Sequence, residues 1–364
     1  MSSPHFIHTV IFAKHSKLSK VAPDLRSYTC DAMMGKDLSS NVAARRKAQK
    51  RIKEARLIFT TCIGASLGLL RSESFDVVLV DEASQQTEPA TLVPLVKGCS
   101  RAILVGDHVQ LRATVQKNAV LTGYDISLFE RHYNLPPRKH VAKAMLDTQY
   151  RMHRTICEFS SNEFYEGKLK TAVAHDSRPL PLSAFPWPKK NRMVWIECSS
   201  EEDLGRQSKA NTGQVDLCKR VIQLLSTPAY ESSSKASDSL ASSIAILTPY
   251  TRQREALGTA IPNFEVASID GFQGREADII VFVTVRCNAS CDIGFLADMR
   301  RLNVVMTRAR CGVVVIGHKN TLTGGLSGGG DLDNSKTIWK KLIKRCEDVS
   351  IEPKTSAIEP AAEA

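Results

Sequence analysis

The sequence has no apolar run that could cross a membrane, because a spanning helix needs about 20 apolar residues. The apolar stretch at residues 6–13 is broken by His8 and is too short for a signal peptide or a span. Internal repeats are also absent. Ten cysteines are present, but only Cys287 and Cys291 lie close together, without a second pair or a histidine pair nearby. The sequence therefore disfavours a zinc site and predicts free thiols, no membrane partner, and a cytoplasmic or nuclear location.

Acidic residues are fewer than basic ones. The 38 Asp and Glu residues stand against 49 Lys and Arg residues, which gives a formal net charge of +11. Such an excess favours a phosphate-rich partner such as nucleic acid, although a merely soluble basic protein fits the charge equally well. Basic residues are densest at residues 41–56, where Val42, Ala48 and Ile52 stand between them at helical spacing. We predict a helix whose basic face is either plain solvated surface or a nucleic-acid contact.

Six short runs rich in valine and isoleucine lack the alternation of half-buried strands. They are residues 57–61, 75–80, 102–105, 244–247, 279–285 and 312–316. Such runs are typical of parallel strands that are buried on both faces. Helical patterns lie between them, as at residues 152–165 and 215–225, so we predict a doubly wound α/β fold. Ligands of such sheets bind beyond the carboxyl ends of the strands, and we expect the polar clusters there.

The predicted strands fall into two groups, which are separated by residues 134–141 with Pro136 and Pro137. This division predicts an N-terminal segment with the basic helix at residues 1–56, a first sheet domain at 57–139, a second at 140–346 and a disordered tail at 347–364. The tail is acidic and rich in alanine and proline, a composition that buries little apolar surface.

Two carboxylates, Asp81 and Glu82, follow the predicted strand at residues 75–80. Burying two adjacent carboxylates without partners costs free energy, so acids at a strand end are expected to be paired with a cation or exposed for use. Such acids can bind a metal ion and activate a water molecule. An acidic turn that starts a helix fits the same residues. The next strand ends in Gly106 and Asp107, and Gln110 beyond it is placed to sense a phosphate or the attacking water, although Gly-Asp turns are common.

Arginines cluster in the second group of strands. Arg151 follows Tyr150. The guanidinium of Arg151 could bind phosphate oxygens, and the ring of Tyr150 could stack on a base. A salt bridge for Arg151 and a core position for Tyr150 fit the sequence as well. Gly271 and Gly274 allow the backbone to approach a ligand closely. Four arginines at residues 300–310 stand beside an apolar stripe, and that is more arginine than packing needs.

In order and spacing, these motifs resemble superfamily 1 helicases, specifically the regulator-of-nonsense-transcripts (up-frameshift) group with its senataxin-type relatives. The matching stretches are Asp-Glu-Ala-Ser-Gln-Gln-Thr-Glu-Pro (81–89), Leu-Val-Gly-Asp-His-Val-Gln-Leu (104–111), Gln-Tyr-Arg-Met-His (149–153), Asn-Glu-Phe-Tyr-Glu-Gly-Lys-Leu (162–169), Leu-Thr-Pro-Tyr (247–250), Gly-Phe-Gln-Gly-Arg-Glu (271–276) and Arg-Arg-Leu-Asn-Val-Val-Met-Thr-Arg-Ala-Arg (300–310). The resemblance implies two RecA-like parallel-sheet domains and an ATP-dependent helicase or translocase activity. It also implies ATP and Mg²⁺ as cofactors, single-stranded RNA or DNA as a partner, and protein partners in an RNA-processing complex.

The resemblance further implies a role for each matching residue. For the nucleotide, these are Asp81 as the Mg²⁺-linked acid, Glu82 as the water-activating acid, Gln110 as the γ-phosphate sensor, Tyr150 as the ring that stacks on adenine, Arg151 and Arg308 as arginine fingers, and Gly274 and Glu276 as further nucleotide contacts. For the nucleic-acid backbone, they are Thr60, Thr61, Thr248, Pro249, Tyr250, Gln273 and Arg286.

One motif of that family has no match among the 364 residues, namely the glycine-rich G-x-x-x-x-G-K-[ST] loop that holds the β- and γ-phosphates. Arg112 also stands where the family usually has proline or glycine. We therefore expect a first domain that is incomplete at its N-terminus, with the basic helix as a remnant of the family's insertion arm, in a fragment that is inactive alone. The alternative is a non-catalytic module, derived from a helicase, that binds nucleic acid or a protein.

Overall fold

The computed structural model describes residues 9–11, 23–29, 42–136, 140–203, 205, 208–228, 243–324 and 334–351. The chain forms two compact units, Met1–Lys143 and Ala144–Ala364. None of the helices in the described ranges is long and apolar enough to cross a membrane.

The first unit contains two pairs of parallel strands. The strands are β1 (Thr9–Ile11), β2 (Leu57–Phe59), β3 (Val77–Val80) and β4 (Arg101–Leu104), with β1 paired to β2 and β3 to β4. The helices are α1 (Val42–Glu54), α2 (Glu88–Leu95), α3 (Lys117–Val120) and α4 (Leu128–Asn134). Helix α1 confirms the predicted basic helix, because it buries Ala48 and Ile52 against Leu69 and Leu70 and leaves its lysines and arginines exposed.

One prediction for the first unit is wrong, since β3 and β4 are not buried on both faces. Val78 and Val80 are buried, whereas Val77 and Leu79 are 57% and 61% exposed. Consecutive strand residues face opposite sides of a sheet, and apolar groups such as Leu95 pack against the side of Val78 and Val80. An apolar run therefore predicted the strand correctly but not the burial of its second face.

The second unit begins with a short parallel pair, β5 (Thr148–Gln149) and β6 (Lys170–Thr171). Its main sheet is built from β7 (Met193–Glu197), β8 (Ile244–Thr248), β9 (Glu265–Ser268), β10 (Ala277–Val283), β11 (Ala309–Gly317) and β12 (Glu347–Asp348). The order across the sheet is β12-β7-β11-β10-β8-β9, and every neighbouring pair is parallel. This sheet confirms the predicted α/β class and the strands predicted at residues 244–247, 279–285 and 312–316. Strands β7, β9 and β12 had no clear pattern in the sequence.

Strand β12 corrects part of the predicted disordered tail. Glu347 and Asp348 pair with Val194 and Trp195 of β7, and Ile351 is buried. Backbone pairing with β7 places these acidic residues at the edge of the sheet despite their polar composition. The rest of the predicted tail, residues 352–364, lies outside the described residues.

Helices pack on both faces of the main sheet. They are α5 (Arg154–Phe164), α6 (Thr212–Ser226), α7 (Thr251–Ala260), α8 (Met299–Arg308), α9 (Lys319–Thr323) and α10 (Asn334–Arg345). On one face, Val281 of β10 lies in one cluster with Val221 of α6 and Leu257 of α7. On the other face, Phe282 packs against Trp339 of α10, with ring centroids 6.3 Å apart. Because this core fixes the strands, it also fixes the polar residues that flank their ends.

Candidate nucleotide and nucleic-acid sites

The acidic pair lies at the carboxyl end of β3, as predicted. Asp81 and Glu82 follow this strand directly and are exposed. Asp81 Oδ1 accepts a hydrogen bond of 2.9 Å from Glu82 N. Glu82 has left-handed backbone angles (φ 51°, ψ 38°), which are unfavourable for a residue with a side chain and which occur preferentially at functional sites. Gln85 Nε2 donates to Glu82 Oε2 at 2.5 Å and holds this conformation.

The turn after β4 lies beside the acidic pair because β3 and β4 are parallel neighbours. Ala83 N donates to Val105 O at 2.8 Å, and Asp107 N donates to Ser84 Oγ at 3.2 Å. Asp107 Oδ2 in turn accepts from Gln110 Nε2 at 2.6 Å. The structure therefore brings Asp81, Glu82 and Gln110 to the same edge of the first unit.

Arg112, which departs from the family pattern, anchors the segment that follows Gln110. Its guanidinium bonds both carboxylate oxygens of Glu130, with Nε at 2.7 Å, and donates from Nη1 to Asp125 Oδ2 at 2.9 Å. These hydrogen bonds, above all those to Glu130, raise the pKa of Arg112 and keep it charged. Glu130 and Asp125 lie 18 and 13 residues away in sequence, so no local motif identified them as partners.

Gly106 is the position at which this edge of the first unit allows no side chain. A Cβ added there would lie 2.8 Å from Ser84 N and 3.2 Å from Ala83 N. We expect Gly106→Ala to push the two turns apart, to cost about 1–3 kcal/mol as overpacking does, and to accelerate hydrogen–deuterium exchange at the Ala83 amide. Gly258→Ala is the control, because a Cβ at Gly258 meets nothing within 4 Å. Unchanged exchange at Ala83 in the Gly106 variant would contradict this account.

In the second unit, three of the predicted nucleotide residues meet at one edge of the main sheet. Arg151 Nε donates to Glu276 Oε2 at 2.5 Å, and Arg151 Nη1 donates to Thr307 O at 2.8 Å. Arg308 is 4% exposed and donates to Val304 O, Thr307 Oγ1 and, at 3.5 Å, Arg275 O. Gly274, with φ of +77°, is exposed two residues before Glu276.

This arginine cluster lies at the amino ends of the strands, which corrects the expectation of carboxyl ends. Glu276 immediately precedes β10, and Arg308 immediately precedes β11. The physical reason is that α8 runs back across the sheet and delivers its last residue, Arg308, directly into the start of β11. The predicted nucleotide residues of the first unit do lie at the carboxyl ends of their strands.

Tyr150 is 72% exposed, and its backbone is held by residues that sequence analysis did not select. Arg178 donates from Nη2 to Tyr150 O at 3.0 Å and from Nε to Arg151 O at 2.9 Å. Gln149 Oε1 accepts from Arg151 N and from Met152 N, each at 2.7 Å. Arg178 lies 27 residues beyond Arg151 in a proline-rich stretch without any motif, so the sequence contained no indication of this contact.

The predicted nucleic-acid residues of the second unit lie mostly at the opposite, carboxyl end of the sheet, and three of them are buried. Thr248, Tyr250 and Arg286 are 0%, 4% and 3% exposed, while Pro249 and Gln273 are partly exposed. The three buried side chains therefore lie beneath the surface at this end of the sheet. The role of these residues in nucleic-acid binding stays a prediction.

Arg286 is the centre of this buried group. Its Nη1 donates to Tyr250 Oη at 3.3 Å and its Nη2 to Asp292 Oδ2 at 2.7 Å, while Nε lies 3.0 Å from Glu202 Oε2. The hydrogen bond from Arg286 lowers the pKa of Asp292. Glu202, which sequence analysis missed, precedes Arg286 by 84 residues and belongs to no motif.

In the first unit, Thr60 and Thr61 follow β2 and remain accessible to solvent. Thr61 Oγ1 accepts from Gly64 N at 3.0 Å. A Cβ at Gly64 would lie 2.5 Å from Thr60 Oγ1, so glycine is needed for the close approach of the two hydroxyls. The role of this threonine turn in nucleic-acid binding stays a prediction.

Comparisons with known proteins agree with this arrangement of motifs. Two family models, each described as an AAA domain, match residues 15–118 and 124–320. With the parallel sheet and the ordered motifs, they define the class as a superfamily 1 helicase. The chain belongs to the regulator-of-nonsense-transcripts group of these helicases, as the resemblance in the sequence predicted.

Three relatives illustrate the match. Regulator of nonsense transcripts 1 of Dictyostelium discoideum is 36% identical over 318 residues, covering 82% of this chain and 22% of the relative. The Drosophila melanogaster homologue of that protein is 37% identical over 318 residues, covering 84% and 25%. ATP-dependent helicase NAM7 of Saccharomyces cerevisiae is 37% identical over 307 residues, covering 80% and 29%. The chain thus spans between a fifth and a third of the length of these relatives.

Proposed function

We propose that the chain provides acids and arginines for an ATP-dependent helicase or translocase that acts on single strands. The observation that carries this proposal is the arginine cluster of the second unit. Arg151, Arg178, Arg308 and Arg310 share one sheet edge, where Arg151 pairs with Glu276, and Arg310 lies within 4 Å of Glu276 and Asp278. A cluster of guanidinium groups suits a polyphosphate, because guanidinium grips phosphate oxygens bidentately and stays charged.

The side chains fit Mg²⁺ and ATP. The exposed Asp81 carboxylate offers the oxygen ligands that Mg²⁺ prefers, and the exposed Tyr150 ring offers a face for the base. Glu82 would take the proton of the attacking water, and Gln110 would orient that water. The bound Mg²⁺–ATP would supply the phosphoryl group. Arg151 and Arg308 would neutralise the negative charge that develops on the oxygens of that group.

RNA is the strand that we propose, because two of the three relatives are named as regulators of nonsense transcripts. Contacts to a strand backbone are sequence-independent, and the basic balance of the chain favours them. Protein partners in an RNA-processing complex are proposed from the resemblance to the family alone.

The 364-residue chain alone is predicted to hydrolyse ATP far more slowly than about one turnover per second, an ordinary rate for such enzymes. Its sequence contains no G-x-x-x-x-G-K-[ST] loop, and the amides and lysine of that loop are the main grip on the triphosphate. Phosphate release should be measured with and without oligouridylate, with Glu82→Gln as the control for contaminating activity. An RNA-stimulated rate of about one per second that Glu82→Gln abolishes would refute the prediction.

A further inference from the structure

One exposed aromatic side chain stands over the buried residues at the carboxyl end of the second unit's sheet. Phe295 lies in the helical turn Gly294–Ala297 and is 54% exposed. Among the described Phe, Tyr and Trp residues of this unit, only Phe295 and Tyr150 are exposed. Tyr150 belongs to the arginine cluster at the amino end, so Phe295 is the exposed ring at the other end.

The Phe295 ring is held from below by the predicted nucleic-acid residues. The Tyr250 ring packs against it, with centroids 5.4 Å apart and planes tilted by 48°, and Tyr250 Oη bonds Arg286. Gly294 N donates to Asp292 Oδ1 at 2.9 Å, and Asp292 also accepts from Arg286. A Cβ at Gly294 would lie 2.5 Å from Arg286 Nη1 and 2.8 Å from Tyr250 Oη. The turn that carries Phe295 therefore packs directly against the buried side chains of Tyr250 and Arg286.

A cation holds the same ring from the side. Arg301 Cζ lies 5.5 Å from the centroid of Phe295. Arg301 is itself fixed, because Nε lies 3.4 Å from Asp270 Oδ1 and Nη1 lies 3.3 Å from Asp298 Oδ2. Asp270 begins the turn that leads to Gln273. Phe295, Tyr250 and Arg301, which we call the Phe295 platform, thus join three of the predicted nucleic-acid segments.

We propose that an unpaired base of a single strand stacks on Phe295, and that the buried Tyr250 and Arg286 act as positioning residues for this ring. A lone exposed phenylalanine is ordinary on a protein surface, but this one is fixed by a second ring, a guanidinium and a glycine turn. A fixed ring loses little conformational freedom when a base binds. Every base has a flat π face, so this contact would be sequence-tolerant. The proposal rests on the proposed action on single strands.

The test uses the full chain and a fluorescently labelled oligouridylate, with binding measured by anisotropy. Phe295→Ala should weaken binding by roughly tenfold, within the range reported for loss of one stacked base. Phe295→Tyr should bind like the wild type. Phe295→Leu keeps apolar volume without a π face and should resemble the alanine variant. Leu182→Ala is the matched control, because Leu182 is also a large exposed apolar residue of the second unit and should have no effect.

An abasic strand separates stacking from other causes. On an oligomer of the same length without bases, the wild type and Phe295→Ala should bind equally. The slope of log affinity against log salt concentration should not differ between them, because no phosphate contact is lost. Trp339 Nε1 donates to Leu296 O at 3.0 Å, so tryptophan emission reports whether the turn remains folded in each variant.

The outcomes distinguish this inference from the function on which it rests. A wild-type chain that binds neither strand would overturn both. If Phe295→Ala binds oligouridylate as tightly as the wild type does, the stacking proposal alone is overturned. Equal weakening of Phe295→Ala on the normal and the abasic strand would also overturn it, because the loss would then be structural.

Discussion

Replacing Glu202 with alanine is expected to lower the free energy of unfolding of the second unit by about 3–5 kcal/mol, the usual cost of breaking a buried ion pair from one side. The side chains of Glu202 and Arg286 are only 3% and 4% exposed, with Oε2 3.0 Å from Nε. Glu202 also accepts hydrogen bonds from Cys287 N at 2.9 Å and Asn288 Nδ2 at 3.0 Å. Removing the carboxylate leaves the guanidinium of Arg286 without its buried counter-ion and the buried Cys287 amide without this acceptor, while Asn288 Nδ2 still donates to Asp292 O.

Urea unfolding followed by tryptophan fluorescence measures this effect in the second unit alone, because all three tryptophans lie beyond residue 143. Glu158→Ala is the matched control. Glu158 pairs with Arg154 at 3.5 Å and Arg345 at 3.3 Å, but its side chain is 48% exposed, and such pairs are worth about 0–1 kcal/mol. A Glu202 variant that loses no more stability than the Glu158 variant would show that the buried pair is not a structural anchor.

Replacing Arg151 with alanine is expected to weaken binding of a fluorescent ATP analogue by about tenfold to a hundredfold, as loss of a charge-assisted hydrogen bond of about 1.5–3 kcal/mol requires. Arg151 Nε now holds a carboxylate oxygen of Glu276 at 2.5 Å, and carboxylate and phosphate oxygens offer the guanidinium the same bidentate geometry. Arg151→Lys should recover only part of the affinity, because an ammonium lacks the planar fork.

Arg154→Ala is the control for this second experiment. Arg154 lies three residues further on and has a side chain that is 69% exposed, with only a surface partner in Glu158. It removes the same charge from the same unit without touching the arginine cluster. If the wild type and the Arg151→Ala variant bind the nucleotide with equal affinity, the proposed contact between Arg151 and the phosphate is contradicted.

The sequence predicted the elements that depend on local pattern. The apolar runs at residues 244–247, 279–285 and 312–316 became β8, β10 and β11, because burial on both faces leaves a continuous apolar run. The same kind of run at residues 75–80 became β3, but Val77 and Leu79 remain exposed. Whether a second layer covers a strand depends on distant parts of the chain, and a local pattern cannot contain that information.

The sequence could not predict the contacts that fix the candidate sites. Arg178 holds Tyr150, Glu202 holds Arg286, and Glu130 holds Arg112, each across a gap of between 18 and 84 residues. These partners are single charged residues in unpatterned loops and helices, so only the fold brings them together. For the same reason, the sequence could not predict that Tyr250 and Arg286 are buried or that Phe295 lies above them.

Helix α8 connects the two ends of the second unit that carry the proposed sites. Arg301 near its start contacts Phe295, and Arg308 at its end belongs to the arginine cluster. Its 10 residues span about 15 Å, and residues 302–308 are buried, so the helix should move as one body. If a triphosphate draws Arg151 away from Thr307 O, the end of α8 is released, and the change should reach the Phe295 platform.

The affinity of the chain for labelled oligouridylate, measured without nucleotide and with saturating ATP and Mg²⁺, tests this coupling directly. Coupling free energies between linked sites are commonly about 1–3 kcal/mol, so we predict a change in strand affinity of roughly fivefold or more. The change should disappear in Arg151→Ala and persist in Arg154→Ala. If the fluorescent ATP analogue binds and the strand affinity is nevertheless the same with and without nucleotide, the chain is a strand-binding module without a motor, and the account is contradicted.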